Sequence, residues 1–349
     1  MTGKERVITA LRRKVPDRVP VFCEFVPEVK QKLYEHFNIN DPYELSIMVG
    51  NDMIVYTEGI QNSYYGPSDE YTCKWGIGWK YFNNASGHYT EMVNHPLLDD
   101  IDGNKLKEYV VPDPDDEEVY LPLREIVEKY GKEYFICASL ACTIFEASWY
   151  LHGLEQTIVD MMIRKEYIEE LFDKVMDFSL KAGLHMIDEG VDMIWLGDDI
   201  GTQDKMMISP QLWRELLKPR MKKLIEVYRK RNKDIFIAYH SCGYIEPVIQ
   251  DLIDIGVDVL NPIQPHAMDP AILKSKYGDR LSFWGSIDIQ NNLPYGTKED
   301  IEEEVKLRMN TIAKGGGLLL GAAHNIQADT NIENIFTLYQ AIDKFGWYK

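Results

Sequence analysis

The stretch Asp234-Ile-Phe-Ile-Ala-Tyr-His-Ser-Cys-Gly-Tyr-Ile-Glu-Pro247 decides the fold class, because it joins a strand directly to the start of a helix. Its first part is a continuous apolar run, which is typical of a parallel strand that is covered on both faces. Gly243 and the Glu246-Pro247 pair then supply turn and helix-start signals. The stretch therefore predicts one β/α unit.

The same alternation of strand and helix extends outward from this unit in both directions. Apolar runs predict eight strands, at residues 18–24, 52–58, 134–142, 191–198, 234–239, 257–263, 281–286 and 317–322. Amphipathic segments between and after them predict helices within residues 154–190, 210–231, 246–256, 298–314 and 331–345. Such a series predicts an α/β fold, a TIM (β/α)8 barrel that occupies residues 1–349 as a single domain.

One segment, residues 64–95, interrupts the alternation and is rich in Tyr, Trp, Gly and Asn. We expect an inserted β-hairpin, followed by a loop, near the barrel mouth. Long ordered loops of this kind often act as lids over an active site. A surface hairpin without a catalytic role remains the alternative.

Composition narrows the class of protein. The formal net charge of −18 argues against nucleic-acid binding, because such a chain repels phosphates. The five cysteines are scattered and odd in number, which favours a reducing compartment over a disulfide framework. We find no apolar run that could span a bilayer and no signal-peptide pattern, so we expect a cytoplasmic protein without a membrane partner.

A barrel of this type carries its chemistry at the carboxyl ends of its strands. His240 and Cys242 stand two residues apart at such an end, and alternate residues of a strand point to the same side. His324 follows the last predicted strand and can converge with them. Imidazole nitrogen and thiolate sulfur are ligands that Zn²⁺ prefers, so His240, Cys242 and His324 predict an open catalytic zinc site. A buried cysteine beside a structural histidine is the alternative.

Other polar and aromatic side chains follow the predicted strands. Asp198 and Asp199 end the fourth strand, where a carboxylate could orient a ligating imidazole, serve as a fourth ligand or act as a general base. Four residues are candidates for substrate binding: Glu24, Gln264, Asn325 and Trp149.

Two terminal motifs resemble the uroporphyrinogen decarboxylase superfamily, and the resemblance covers nearly the whole chain. The opening motif is Thr2-Gly-Lys-Glu-Arg-Val-Ile-Thr-Ala-Leu-Arg12 with Pro16-Asp-Arg-Val-Pro20, and the closing motif is Gly321-Ala-Ala-His-Asn-Ile-Gln-Ala-Asp-Thr330 with Glu333-Asn334. The stretches 240–248 and 256–265 are similar to the branch that contains corrinoid-dependent methyltransferases, including methylcobamide:coenzyme M methyltransferases and O-demethylase components.

This resemblance implies a methyltransferase that moves a methyl group between a small molecule and the cobalt of a corrinoid (cobalamin). The corrinoid is expected on a separate partner protein that docks at the barrel mouth. His240 and Cys242 match the first two positions of the branch's zinc motif, whereas His324 stands where the coenzyme M enzymes usually carry Cys. A site with two imidazoles and one thiolate keeps more positive charge, which favours O-demethylation of a methoxylated aromatic. Transfer from a methylcorrinoid to a thiol or to tetrahydrofolate remains open.

The resemblance also leaves two other functions open. A decarboxylase would use Asp52, which matches the catalytic aspartate of the true decarboxylases by position. Their arginine-rich motif is missing, however, since the equivalent stretch here is Cys23-Glu-Phe-Val-Pro-Glu28. A binding module that has lost catalysis is the other alternative. A homodimer is also expected from the superfamily.

Overall fold

The computed structural model describes residues 1–66, 68–83 and 88–349, and two sheets organise them. One is a parallel sheet of seven strands, β1 (Met53–Thr57), β5 (Phe135–Ser139), β6 (Met193–Gly197), β7 (Phe236–His240), β8 (Val259–Ile263), β9 (Ser282–Ile287) and β10 (Leu318–Ala322). The other is an antiparallel sheet of three strands, β2 (Glu70–Thr72), β3 (Gly78–Asn83) and β4 (His88–Asn94). The predicted α/β class is therefore confirmed.

The strands of the parallel sheet follow one another in chain order. Each crossover thus adds the next strand on the same side, which curls the sheet and is consistent with a TIM-like barrel. Extended residues near Val21 lie between the two edge strands: Phe22 N donates to Leu320 O at 3.0 Å, and Asp52 N donates to Val21 O at 2.8 Å.

The predicted strand at residues 18–24 is present only as this extended segment, with an isolated parallel bridge between Val21 and Leu320. Proline offers a physical reason. Pro20 O accepts from Leu320 N, but Pro20 has no N–H and therefore cannot donate to a ladder. The other seven predicted strands are present, with shifts of a few residues at their ends.

The insert forms three antiparallel strands rather than the single hairpin that the sequence predicts. Its connection between β3 and β4 at residues 84–87 lies outside the described residues. Trp75 and Trp79 are almost fully buried, and Trp75 packs edge-on against Phe178 with ring centroids 4.7 Å apart. These two aromatic side chains anchor the insert to the helices.

The helices surround the parallel sheet and begin at the predicted signals. Ser209 Oγ accepts from Leu212 N at 3.1 Å, and Asp269 Oδ1 accepts from Ala271 N at 2.7 Å, so both caps precede a proline as expected. No helix in the described ranges is long and apolar enough to cross a membrane. The α-helices are Gly3–Leu11, Pro27–Phe37, Pro42–Val49, Asn104–Glu108, Leu121–Tyr130, Phe145–His152, Leu154–Ile163, Lys165–Glu189, Pro210–Leu212, Lys218–Arg231, Glu246–Asp254, Pro270–Tyr277, Asn292–Tyr295, Lys298–Asn310 and Ile332–Phe345, with 3-10 turns Ile60–Ser63 and Glu117–Tyr120 and a π-helical turn Trp213–Leu217.

The inside of the curled sheet is filled by apolar side chains from alternate strand positions. Phe22, Trp195 and Trp284 belong to this cluster, with the Trp195 and Trp284 ring centroids 4.5 Å apart and those of Phe22 and Trp284 5.5 Å apart. Such aromatic contacts make the interior a packed floor rather than a pore. The polar residues at the carboxyl ends of the strands lie above this floor.

Candidate functional site

Three side chains from neighbouring strand ends converge on one point. His240 Nε2 lies 3.7 Å from Cys242 Sγ and 3.4 Å from Asp199 Oδ1. The ligand atoms of Asp199, His240 and Cys242 all lie within 4.8 Å of one another. Gly197 makes the convergence possible, because a Cβ on this residue would come within 2.1 Å of His240 O. The strands β6 and β7 therefore approach closely where they deliver these groups.

The spacing of these atoms fits a zinc ion. In a tetrahedral site with Zn–N near 2.0 Å and Zn–S near 2.3 Å, adjacent ligand atoms are roughly 3.3–3.6 Å apart. The observed separations of 3.4 and 3.7 Å agree with that requirement. Sulfur, imidazole nitrogen and carboxylate oxygen are also the donor types that zinc takes. The three residues can thus hold a zinc ion with at least one position left open.

The backbone and side chains around the convergence point fix its orientation. His240 Nδ1 donates to Asn261 Oδ1 at 2.7 Å, which leaves Nε2 free to face Cys242 and Asp199. Asp199 Oδ1 also accepts from Cys242 N at 2.7 Å. Gln264 Oε1 accepts from Gly243 N at 2.7 Å, so this side chain holds the loop that follows β7, and it does not line the central cavity.

The charges of His240 and Asp199 support each other. Burial alone would raise the pKa of Asp199, but the hydrogen bond and charge of His240 outweigh it and lower that pKa to about 2. Burial works against the charged imidazole as well, yet Asp199 and Cys242 raise the pKa of His240 well above its ordinary value. A metal ion at Nε2 would replace the proton that this pair otherwise holds.

His324, the predicted third ligand, lies in the same cavity but outside the converging group. Its ring centroid is 6.4 Å from that of His240. The His324 side chain is exposed because it borders the open cavity, and protein surrounds it on the other sides. Surrounding protein lowers the pKa of His324, and the positive charge of His240 lowers it further. The structure therefore brings Asp199 to the His-Cys pair, and a ligand role for His324 stays a prediction.

Asp198 and Asp52 lie away from the cavity. Asp198 is buried, and its Oδ1 accepts from Ile144 N and Glu146 N, both at 2.9 Å. This carboxylate thus holds the start of the helix Phe145–His152, and burial raises its pKa to about 6.

Asp52 precedes β1 and so lies at the amino end of the sheet, opposite to the end that carries His240. Its carboxylate contacts Arg6 Nη1 at 2.6 Å and Arg18 Nη1 at 2.9 Å, and it accepts from Val21 N at 2.9 Å. Parallel strands place all their amino ends on one side, so the predicted catalytic Asp52 is not brought together with the other candidates.

A cavity of about 710 Å³ opens over the converging group. Glu24 and Asn325 line it as predicted candidates, whereas Trp149 does not, because its ring packs on Tyr150 with centroids 4.4 Å apart and Tyr150 faces the cavity. Tyr64, Tyr65 and Tyr89 of the insert contribute as well, so the insert flanks the cavity. The remaining lining residues are Phe22, Val26, Glu28, Gln61, Ala141, Cys142, Glu146, Trp195, Asp199, His240, Asn261, Pro262, Trp284, Ala322, His324, Gln327, Ala328 and Asp329.

Glu146 is a functional candidate that the sequence reasoning missed. It is 6% exposed, lines the cavity, and its Oε2 accepts from Asp199 N at 2.8 Å. Burial and the neighbouring carboxylates of Asp199 and Asp198 raise the pKa of Glu146 well above its ordinary value. The available signal was its position shortly after the third strand, whose carboxyl end must also point at the site.

Comparisons with known proteins agree with this architecture. The profile of the family described as "Uroporphyrinogen decarboxylase (URO-D)" matches residues 2–345. The chain is 20% identical over 324 residues to the methylcobamide:CoM methyltransferase MtbA of Methanosarcina acetivorans, with 91% of each protein covered. It also resembles the solved structure of a methyltransferase from Methanosarcina mazei, with a TM-score of 0.75, 20% identity and 99% of each chain covered. That structural likeness supports the fold.

Proposed function

The chain belongs to the uroporphyrinogen decarboxylase family, and from that membership and the site geometry we propose that it is a zinc- and corrinoid-dependent methyltransferase. It would move a methyl group between a small molecule, an O-methyl substrate such as a methoxylated aromatic, and the cobalt of a corrinoid on a partner protein. The observation that carries this proposal is the convergence of Asp199, His240 and Cys242 below an open cavity. The relative MtbA, named as a methylcobamide:CoM methyltransferase, supports the class of reaction.

The chain's own residues would hold the metal and leave room for a reacting group. Asp199, His240 and Cys242 are the proposed ligands, and His324 faces the same space as a further candidate. A zinc ion bound there would supply Lewis acidity toward an ether oxygen or a thiol. Asn261 keeps the His240 ring turned so that Nε2 points to that ion.

Glu146 would act as a proton donor in the same cavity. Because burial and the neighbouring carboxylates raise its pKa, Glu146 would keep its proton to higher pH than an ordinary glutamate and could donate it to an oxygen that loses its methyl group. In the demethylation direction the carbon–oxygen bond would break with its electron pair on oxygen, and the methyl group would pass to the partner's corrinoid, whose reduced cobalt would supply the electron pair for the new bond. The aromatic lining would hold the substrate so that oxygen, methyl carbon and cobalt are in line.

The reverse direction, from a methylcorrinoid to a thiol, is a second candidate because the relative MtbA is named for a reaction of that class. Methyl transfer to a thiol would need the same open cavity, since the thiol would also occupy an open position beside the metal. Decarboxylation is disfavoured, because Asp52 is engaged by Arg6 and Arg18 at the other end of the sheet.

Metal analysis combined with a methyl-transfer assay tests the proposal. We expect about one zinc per chain in protein purified without a histidine tag, and conversion of cob(I)alamin to methylcobalamin when 2-methoxyphenol is the donor. Cys242→Ala should lose both the metal and the conversion. Cys73→Ala is the matched control, because Cys73 is also a free, half-buried cysteine but does not belong to the converging group. Full metal content and turnover in Cys242→Ala would refute the assignment.

A further inference from the structure

A second cavity of about 750 Å³ adjoins the central cavity. Phe22, Glu24 and Tyr65 line both cavities, so the two spaces meet at these residues. The central cavity holds about 710 Å³, whereas a cavity of roughly 150 Å³ is enough to bind benzene. The two cavities together therefore exceed what a substrate with one ring requires.

The cavities meet where the wall of the barrel splits between residues 18–24 and β1. The Asn51 side chain occupies both backbone groups of Cys23: its Oδ1 accepts from Cys23 N at 3.0 Å, and its Nδ2 donates to Cys23 O at 3.1 Å. Glu24 O then accepts from Ile326 N at 2.8 Å, on the side away from β1. The segment is thus held by Asn51 and by the chain that follows β10, which leaves a gap beside β1.

The split leaves one edge of β1 open to the second cavity. Within the described ranges β1 pairs with β5 alone, and Glu58 N donates to the last residue of β5 at 3.2 Å. Successive residues of a strand direct their backbone groups to opposite sides, so Val55 and Thr57 direct theirs away from β5. On that side Met53 O accepts from Ser46 Oγ at 3.1 Å, whereas Val55 and Thr57 line the cavity. Their backbone groups can therefore bond to a polar group of a ligand.

Tyrosine side chains supply much of the lining of the second cavity. Tyr43, Tyr56 and Tyr71 line it in addition to the two aromatic residues that it shares with the central cavity. Tyr56 OH donates to Val119 O, and Tyr71 OH donates to Ser63 O at 2.9 Å, so these two hydroxyl groups are already bonded. Their rings remain as contact surface, and such rings favour a flat aromatic ligand through offset and edge-on contacts.

The charged residues that line the second cavity, within the described ranges, form two ion pairs with each other. Glu24 pairs with Lys30 at 2.5 Å, and Glu58 pairs with Lys74. Their charges cancel, so a charged ligand would have to break one of these pairs to gain a partner, whereas an uncharged ligand would not. The lining therefore favours an uncharged ligand.

We propose that the second cavity is a subsite for a second, uncharged aromatic ring of the substrate, so that the substrate class is a two-ring aromatic methyl ether. The ring that carries the methoxy group lies in the central cavity near His240, and the second ring passes Glu24 and Tyr65 to rest among the tyrosines beside β1. An oxygen on the linker accepts from Val55 N or Thr57 N. This inference rests on the proposed function, since it names the substrate class of the same site, and the second ring takes no part in the bonds that break and form.

A matched pair of ligands tests the subsite by binding alone. Isothermal titration of the zinc-loaded full chain compares 1-(2-methoxyphenoxy)-2-phenylethane with 1-(2-methoxyphenoxy)ethane, which lacks only the second ring. Burial of about 100 Å² of apolar ring surface favours binding, and ordering of the linker offsets part of that gain, so we expect the second ring to tighten binding by about tenfold or more. Equal affinity of the two ligands would overturn the proposal.

Substitutions that fill the second cavity locate the second ring. Thr72 lines this cavity and is exposed on β2, so Thr72→Trp fills part of it. Glu70→Trp is the matched control, because Glu70 is also exposed on β2 but does not line the cavity. We expect Thr72→Trp to remove most of the preference for the two-ring ligand and Glu70→Trp to keep it.

Asn62→Trp is a second filling variant, from a different segment, which guards against a disturbance of the insert by Thr72→Trp. Asn62 is exposed and lines the same cavity. The affinity for 1-(2-methoxyphenoxy)ethane reports whether each variant still folds around the central cavity. A preference that both filling variants retain would show that the second ring binds elsewhere and would refute the subsite.

The subsite and the proposed function fail separately. Preference for the two-ring ether without any methyl transfer to cob(I)alamin would refute the proposed function and leave the subsite standing. Methyl transfer from both ethers, with equal affinity for the two, would leave the function standing and refute the two-ring substrate class.

Discussion

Asn261 Oδ1 accepts a hydrogen bond from His240 Nδ1 at 2.7 Å, across the ladder that pairs β7 with β8. Register places the two residues opposite each other, since His240 is the Cα partner of Asn261. The bond determines which imidazole nitrogen faces the cavity, so a residue of β8 orients the proposed metal ligand His240 on β7.

We expect Asn261→Ala to weaken zinc binding by about 10- to 100-fold, the usual effect of removing a hydrogen bond behind a ligating histidine. Competition with a chromophoric chelator measures the affinity. Asn325→Ala is the matched control, because Asn325 also lines the cavity but is not the amide that bonds to His240 Nδ1. Unchanged affinity in Asn261→Ala would mean that the hydrogen bond does not orient a ligand.

Asp199 and His324 are the two candidates for the third zinc ligand beside His240 and Cys242. Asp199 lies in the converging group, whereas His324 has its ring centroid 6.4 Å from that of His240. We expect Asp199→Asn to lower zinc affinity more than His324→Asn does, and by more than the loss in Asn261→Ala, since it removes a direct ligand. The same chelator competition decides between them. A larger loss in His324→Asn would restore the ligand set that the sequence predicts.

Asp52 should act in stability and not in catalysis. Its carboxylate is 5% exposed and pairs with Arg6 and Arg18, so Asp52→Ala removes the carboxylate that pairs with Arg18 and one of the two that hold Arg6, which keeps Asp17. Breaking such a pair typically lowers the free energy of unfolding by about 3–5 kcal/mol. Urea unfolding measures this loss. Zinc content of the folded variant should match that of the parent chain, and a selective loss of activity at full stability would contradict the interpretation.

The sequence predicted that His240 and Cys242 lie together because strand geometry is local. His240 and Cys242 are two residues apart at a strand end, so their side chains point to the same side whatever the rest of the fold is. The third position depends on how far the loop after β6 reaches, which periodicity does not encode. Asp199 therefore appeared in the sequence only as one of two adjacent candidates, and the structure separates it from Asp198, which turns into the protein.

Fold prediction from the sequence met a similar limit. Apolar runs identified the seven strands of the parallel sheet, since burial on both faces leaves a plain signal. The segment near Val21 is apolar enough to be a strand, but it does not form a full ladder because Pro20 has no N–H to donate. Glu146 was missed for another reason, because its role arises from the contact between its Oε2 and Asp199 N across distant segments.

Asp198 should make stability depend on pH in the opposite sense to a salt-bridged carboxylate. Burial raises its pKa from 3.8 to about 6 in the folded chain. Between these values the folded state binds more protons than the unfolded state, so the free energy of unfolding falls as pH rises from about 4 to about 6. A shift of this size corresponds to a contribution of about 2–3 kcal/mol, present below pH 4 and lost above pH 6.

Asp198→Asn tests this prediction, because asparagine keeps an oxygen acceptor for Ile144 N and Glu146 N but does not titrate. Urea unfolding of the metal-free parent and variant at several pH values between 4 and 7 gives the difference between their free energies of unfolding. As pH rises across this range, we expect the free energy of unfolding of the variant to increase by about 2–3 kcal/mol relative to that of the parent. A difference that stays constant with pH would show that Asp198 does not take up its proton in the folded chain.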